Sequence, residues 1–254
     1  MQVIKGKQEV APKVMIYGLA SSGKSTLAAT LPGAIFLDAE GGLSFLDVAK
    51  TPVGDTTTLL GDLVFLANQA KSGKKEYKYI VIDSVDWVVN MFIKRTTGVE
   101  GAGNIKELLE RVTLTLNKAQ GGYGNGKQVL ENYVRNTFLV YLDKLNREYG
   151  YGIILIAHAD RKTLLDADGT NIERLAPKMD INSMNAFVEW ADNLFYLKCD
   201  DDGVRHLIVN PTDVISAKNR MGLKQDEFIV DDKFNFEDLI TGKMTDSSSN
   251  LTKE

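Results

Sequence analysis

The feature that most constrains this chain is a glycine-rich stretch at residues 18–25, GLASSGKS, which follows an apolar run. The stretch matches the pattern G-x-x-x-x-G-K-[ST] at every fixed position. Glycines let a backbone curl around a phosphate without Cβ clashes, and the amides and the next helix N-terminus then face the anion. The spacing therefore predicts a strand, a phosphate-binding loop and a helix in direct succession.

This loop predicts binding of a nucleoside triphosphate with Mg²⁺. Lys24 is placed to neutralise the outer phosphates, and Ser25 is placed to ligate the metal ion. A glycine-rich turn without function is the alternative, and the position between a strand and a helix argues against it. The predicted nucleotide-binding residues are Gly18, Leu19, Ala20, Ser21, Ser22, Gly23, Lys24, Ser25 and Thr26.

The order of apolar segments predicts an α/β fold. Short, continuously apolar strands at residues 14–17, 34–37, 79–82 and 153–156 alternate with helical patterns, which indicates a mostly parallel sheet covered on both faces. Later strands are expected at 194–198, 205–209 and 214–217, with a hairpin turn at 200–203 between the first two.

The chain is predicted to form one domain over residues 1–240, with a flexible tail at 241–254 and an insertion at about 94–150. Its 254 residues suffice for a full core, and 44% hydrophobic with 25% charged residues is an ordinary globular mixture. Two helical faces are expected inside the insertion. The first comprises Ile105, Leu108, Leu109, Val112 and Leu116, and the second comprises Val134, Phe138, Tyr141, Leu142 and Leu145.

No signal peptide or membrane span is expected from the sequence, because its apolar runs are short. The single cysteine, Cys199, cannot form an internal disulfide, so a reducing cytoplasm is the natural location.

Acidic residues follow two of the predicted strands. Asp83 ends the strand at 79–82, where a carboxylate can hold the Mg²⁺ shell. Glu40 lies just beyond the strand at 34–37 and is the candidate that aims water at the γ-phosphate, with Asp38 as its competitor. A solvated loop residue is the alternative for Glu40.

Three further residues complete the predicted site. His158 ends the strand at 153–156, where it is either a γ-phosphate sensor or a structural residue. Lys218 and Arg220 follow the strand at 214–217 and suit a phosphate of a neighbouring subunit. A solvated turn or a contact to an acid in the same chain is the alternative for this pair.

Taken in order, these motifs resemble those of the RecA-like ATPases. IFLDAE at 35–40 looks like the family's strand with the catalytic glutamate, VIDS at 81–84 like its Walker B strand, and AKNR at 217–220 like its paired trans-acting cations. The nearest resemblance is to small phage RecA-like proteins of the single-strand annealing type, also described as AAA-family proteins. The family usually has Gln where His158 stands, and its adenine-contacting acid has no clear match here.

The resemblance implies a RecA-like P-loop core and a Mg²⁺-dependent ATPase that acts on single-stranded DNA in recombination. ATP would lie between subunits of a ring or filament, in the cytoplasm of a bacterial host, and a single-strand binding protein is a further candidate partner. A helicase-like or packaging motor is one alternative. A nucleotide-dependent switch or scaffold with a protein partner is another.

In that family two loops hold DNA, and here they correspond to residues 94–127 and 159–185. The first carries six basic and three acidic side chains, whereas the second carries four basic and five acidic ones. Tyr123 could stack on a base, with a plain surface turn as the alternative. The candidate DNA contacts are Lys118, Tyr123, Lys127, Arg161 and Lys162.

Overall fold

The computed structural model describes residues 5–6, 10–165 and 169–244. The predicted tail therefore lies outside the described residues from residue 245 onward. Within the described ranges, no helix is long and apolar enough to cross a membrane.

The strands are β1 (Lys13–Gly18), β2 (Ala34–Asp38), β3 (Ala49–Pro52), β4 (Tyr79–Asp83), β5 (Gly152–Leu165), β6 (Asn171–Pro177), β7 (Asn193–Cys199), β8 (Arg205–Ile208), β9 (Lys218–Asn219) and β10 (Glu227–Ile229). The α-helices are α1 (Lys24–Ala29), α2 (Thr56–Lys71), α3 (Val85–Thr96), α4 (Ile105–Arg111), α5 (Asn125–Glu131), α6 (Leu139–Arg147), α7 (Ile181–Trp190) and α8 (Phe236–Thr241). Short 3₁₀ turns lie at Leu43–Phe45 and Val99–Gly101, and a π-helical segment, Asn132–Phe138, joins α5 to α6.

The strands form a mostly parallel sheet in the order β10-β8-β7-β1-β5-β4-β2-β3. Strands β7, β1, β5, β4, β2 and β3 run parallel, while β8, β9 and β10 add antiparallel pairs at the β7 side and β6 pairs antiparallel with β5. The predicted fold class, a mostly parallel α/β sheet with late antiparallel strands, is confirmed.

Helices cover both faces of the sheet because alternate residues of each central strand are apolar on opposite sides. Met15 and Tyr17 of β1 pack into a cluster with α2, α3, α6 and α7. Val14 and Ile16 pack on the other face with residues of α1 and α8. All four β1 side chains are completely buried, so the strand that leads into the glycine-rich loop lies at the centre of the core.

The register brings the predicted functional positions to one edge. Gly18 at the end of β1 pairs with His158 of β5, and Asp38 at the end of β2 pairs with Asp83 of β4. Since carboxyl ends of parallel strands lie at the same edge, side chains far apart in sequence meet there.

Three predicted segments differ from the observed ones. Residues 214–217 form no strand, only a bridge from Ile215 to Leu175, and the short strand β9 begins at Lys218 instead. The expected loop at 159–185 is mostly a β-hairpin of β5 and β6, followed by the start of α7, because β5 continues beyond the sheet edge. The first helix of the insertion ends at Arg111, and its apolar residues face solvent, with Ile105 76% exposed.

Candidate functional site

The glycine-rich loop depends on glycine at two positions for different reasons. A Cβ atom on Gly18 would lie 2.2 Å from the carbonyl oxygen of Leu197 in β7, so a larger residue cannot pack there. Gly23 has φ 92°, in the left-handed region that favours glycine. The loop therefore turns tightly from β1 into α1.

Lys24 is buried inside this loop. Its Nζ donates hydrogen bonds to the carbonyl oxygens of Gly18, at 3.1 Å, and Leu19, at 2.8 Å. Burial lowers the pKa of Lys24, and three nearby carboxylates act in the opposite direction. The ammonium is therefore held at the loop by backbone oxygens, next to an acidic cluster.

Ser25 and Asp83 meet directly. The Ser25 hydroxyl donates a hydrogen bond of 2.6 Å to Oδ2 of Asp83. Burial raises the pKa of Asp83 to about 6, and the nearby charges of Glu40 and Asp38 add to the rise. The fold thus brings together the two residues predicted to hold Mg²⁺, Ser25 of α1 and Asp83 at the end of β4, which are 58 residues apart in sequence.

Asp38 and Glu40 have different surroundings. Asp38 accepts a 2.7 Å hydrogen bond from the backbone amide of Gly41 and so belongs to its own turn. Glu40 reaches across to the neighbouring strands, with its carboxylate 3.4 Å from the Ser84 hydroxyl and 3.7 Å from Nε2 of His158. This difference favours Glu40 over Asp38 as the residue that acts on bound nucleotide.

His158 is oriented by Asp86, a residue that the sequence interpretation missed. Oδ2 of Asp86 lies 3.0 Å from Nδ1 of His158, and Oδ1 accepts from the His158 backbone amide at 3.2 Å. The hydrogen bond to Asp86 raises the pKa of His158. Burial would raise the pKa of Asp86, but the contacts with His158 outweigh burial and lower it. In the sequence, Asp86 was indicated only by its position three residues after Asp83, which places it in the first turn of α3.

Arg205 is a second residue that sequence reasoning missed. It begins β8, and its guanidinium lies against the loop, so that a Cβ atom on Gly23 would be 2.4 Å from its Nε. Only the hairpin of β7 and β8 brings it there, and no local motif marks it.

Lys218 and Arg220 lie away from the loop. Lys218 pairs with Leu194 of β7, which in turn pairs with Met15 of β1. Met15 lies three residues before Gly18, which is about 10 Å along the strand. Nζ of Lys218 donates to carbonyl oxygens at the end of α7, namely those of Val188, Glu189 and Ala191. Lys218 therefore contacts backbone oxygens of its own chain and is neither the free cation of the trans-acting hypothesis nor a partner of an acid among the described residues.

Arg220 differs from Lys218 in its exposure. Its side chain is 58% exposed and lies 3.3 Å from the carboxylate of Asp192, a contact to an acid of the same chain as in the alternative for this pair. The preceding residue, Asn219, pairs through Asn193 with Val14 of β1, about 13 Å along the strands before Gly18.

The candidate DNA contacts lie on two separate elements. Lys118, Tyr123 and Lys127 are exposed around the turn before α5. Arg161 and Lys162 lie on the β5–β6 hairpin, and each has an acid of the same hairpin beside it. Lys162 is 3.1 Å from Asp160, and Arg161 is 4.0 Å from Glu173.

The donor set fits a Mg²⁺-bound nucleoside triphosphate. Ser25 and Asp83 supply the hard oxygen ligands that Mg²⁺ prefers, and Lys24 with the loop amides suits phosphate. The buried Ser22 hydroxyl has no hydrogen-bond partner among the residues that the structure describes, so the loop has unused bonding capacity.

Comparison with known proteins agrees with this geometry. None of the curated proteins compared with the chain matches it. A family model for an AAA domain matches residues 11–221, from just before β1 to just beyond Arg220. The matched span contains the glycine-rich loop and the ends of β2, β4 and β5, and the chain belongs to this AAA domain family of P-loop ATPases.

Proposed function

We propose that this protein is a Mg²⁺-dependent ATPase that acts on single-stranded DNA as a homo-oligomer, with ATP held between subunits. The observation that carries the ATPase proposal is the cluster of Lys24, Ser25, Asp83, Glu40 and His158 at one sheet edge. Family membership supports nucleotide-dependent ATPase activity, and the action on DNA is the further step of the proposal.

In this proposal each residue of the cluster has one task. Lys24 neutralises the outer phosphates, and Ser25 and Asp83 hold Mg²⁺, which when bound offsets negative charge on the phosphates. Glu40 orients an attacking water and accepts its proton. His158, fixed by Asp86, senses the γ-phosphate and transmits its presence to the β5–β6 hairpin, since the hairpin begins at the next residue.

Two observations support the DNA and oligomer parts of the proposal. The hairpin grows directly from the strand that carries His158, and the Arg161 side chain on it is 81% exposed and so accessible to a phosphate. Arg220 is exposed and too far from its own loop, so a phosphate within its reach would belong to a neighbouring copy.

The test is ATP turnover with and without single-stranded DNA, with assembly size recorded in the same samples. Stimulation by single-stranded DNA but not by a duplex of the same sequence, together with a larger assembly, would support the proposal. Lys24→Ala is the control and should abolish both tight ATP binding and turnover. Binding of ATP without turnover would instead favour a switch, and ATP-driven strand separation would favour a motor.

A further inference from the structure

Arg205 lies at the same sheet edge as the phosphate-binding loop but on the opposite side from the acids. It pairs with Cys199, the last residue of β7, so the start of β8 is level with the carboxyl ends of the parallel strands. In the sheet order β8-β7-β1-β5-β4-β2, the loop follows β1, Asp83 ends β4 and Asp38 ends β2. The loop therefore lies between Arg205 and the acidic cluster.

The guanidinium of Arg205 is packed on the loop. A Cβ atom on Gly23 would come within 2.4 Å of Nε and 3.2 Å of Cζ, so only glycine leaves room for this side chain. Nε is buried without a hydrogen-bond partner among residues 5–6, 10–165 and 169–244, while Arg205 as a whole is half-buried. A buried N–H donor without an acceptor costs free energy, so Nε would gain from an acceptor brought by a ligand.

The loop has a second unpartnered polar atom in the same place. The Ser22 hydroxyl, one residue before Gly23, is also buried without a hydrogen bond within the described part of the chain. Two such atoms lie against one stretch of the glycine-rich loop, where a ligand with several acceptor oxygens would offer both of them a partner.

The balance of charge points to the same ligand. Four acids lie in or beside the cluster, namely Asp38, Glu40, Asp83 and Asp86, whereas Lys24 is the cation inside the loop. A polyphosphate adds more negative charge to this edge. Arg205 supplies a cation on the β8 side, where the described acids Glu227 and Asp200 pair with Lys198 and His206 instead.

We propose that Arg205 binds the phosphate chain of the nucleotide from the β8 side, in the same subunit as the loop. The inference rests on the proposed nucleotide binding. Because Glu40 and Asp83 place the γ-phosphate on the far side of the loop, Arg205 meets the phosphates nearer the nucleoside. These are shared by ATP and ADP, so the contact contributes equally to both and does not change the chemical step.

The experiment is calorimetric titration of wild type, Arg205→Gln, Arg205→Lys and Lys198→Gln with ATP, ADP and inorganic tripolyphosphate. Lys198 is the matched control because it is a cation on the same hairpin that pairs with Glu227, 3.9 Å away. Arg205→Gln should weaken all three ligands by about 10- to 100-fold, the range of one charged hydrogen-bond contact. Arg205→Lys should lose less, since it keeps the charge but not the planar fork. Lys198→Gln should bind like wild type.

The outcomes separate this inference from the proposed function. Wild-type protein that binds no ATP would remove the proposed function itself. If Lys24→Ala weakens ATP binding and Arg205→Gln does not, only the role of Arg205 is overturned. If Arg205→Gln weakens binding of ATP and ADP but not of tripolyphosphate, Arg205 contacts the nucleoside and the phosphate contact is overturned. Should Arg205→Gln not fold, the ADP-induced rise in Tm of Arg205→Lys decides: a smaller rise than in wild type supports the contact, and an equal rise overturns it.

Discussion

Asp38 and Glu40 are two residues apart, yet their neighbours give them different chemistry. Asp38 is occupied by the Gly41 amide, whereas Glu40 faces Ser84 and His158. We expect Glu40→Gln to bind ATP and Mg²⁺ normally and to lose about 100-fold or more in turnover, the scale of a lost general base. Asp38→Asn is the control and should lose far less. Near wild-type turnover in Glu40→Gln would move the role elsewhere.

The pairing of His158 with Asp86 makes a prediction about stability and pH. The raised pKa of His158 means that the protonated form is favoured in the folded state. Its contribution to stability is therefore fully present below the ordinary histidine pKa of about 6.5 and is lost as the pH rises through the raised pKa.

The measurement is urea unfolding of nucleotide-free wild type and His158→Gln across about pH 5.5 to 9. The difference in free energy of unfolding should be largest at the acid end of this range and should shrink as the pH rises. The lowered pKa of Asp86 keeps that carboxylate ionised across the range, so it adds no opposing trend. A difference that does not vary with pH would show that the pair contributes only packing.

At the scale of secondary-structure elements, a side chain of β9 caps the C-terminal end of helix α7. Lys218 donates to three carbonyl oxygens at the end of this helix, where a cation is electrostatically favourable. We expect Lys218→Met to lower the free energy of unfolding by about 1–2 kcal/mol. ATP affinity should not change, because the contact is remote from the loop. Unchanged stability with lost turnover in the assembly would return Lys218 to a catalytic role.

A second prediction at this scale concerns DNA binding by the insertion at about 94–150. Lys118 and Lys127 are exposed on either side of the glycine-rich turn that carries Tyr123. Reversing both charges should weaken binding of single-stranded DNA and should flatten its salt dependence by about 0.7 in log–log slope per lost phosphate contact. Lys71→Glu with Lys74→Glu, at the exposed end of α2, is the matched control. Equal effects of both pairs would indicate general charge repulsion rather than a DNA contact.

At the scale of the whole molecule, the position of Arg220 predicts that hydrolysis depends on assembly. Because it cannot reach its own loop, Arg220→Ala should bind ATP normally as a monomer yet lose about 1,000-fold in turnover, as for a trans-acting arginine. Mixing Arg220→Ala with Lys24→Ala should restore part of the activity, since a mixed interface combines an intact loop with an intact arginine. Loss of ATP affinity in dilute monomeric Arg220→Ala, with no rescue on mixing, would contradict the trans arrangement.

The sequence by itself determined the fold class and the local structure at the centre of the candidate site. The strand, loop and helix around residues 18–25 are local, because glycine spacing and apolar runs act over a few residues, and the same holds for Asp83 at the end of β4. Alternation of apolar strands and helices was sufficient to predict the parallel sheet, since burial on both faces requires that pattern.

Tertiary structure decided which side chains share that edge and which do not. The positions of Asp86 and Arg205 and the hydrogen bonds of Lys218 depend on strand order, register and a hairpin. These features are set by packing between segments distant in sequence. The apolar pattern did not indicate that β5 continues into a hairpin, because strands beyond the sheet edge are solvated and carry polar residues. Local chemistry therefore fixed the phosphate loop, and long-range pairing fixed its charged neighbours.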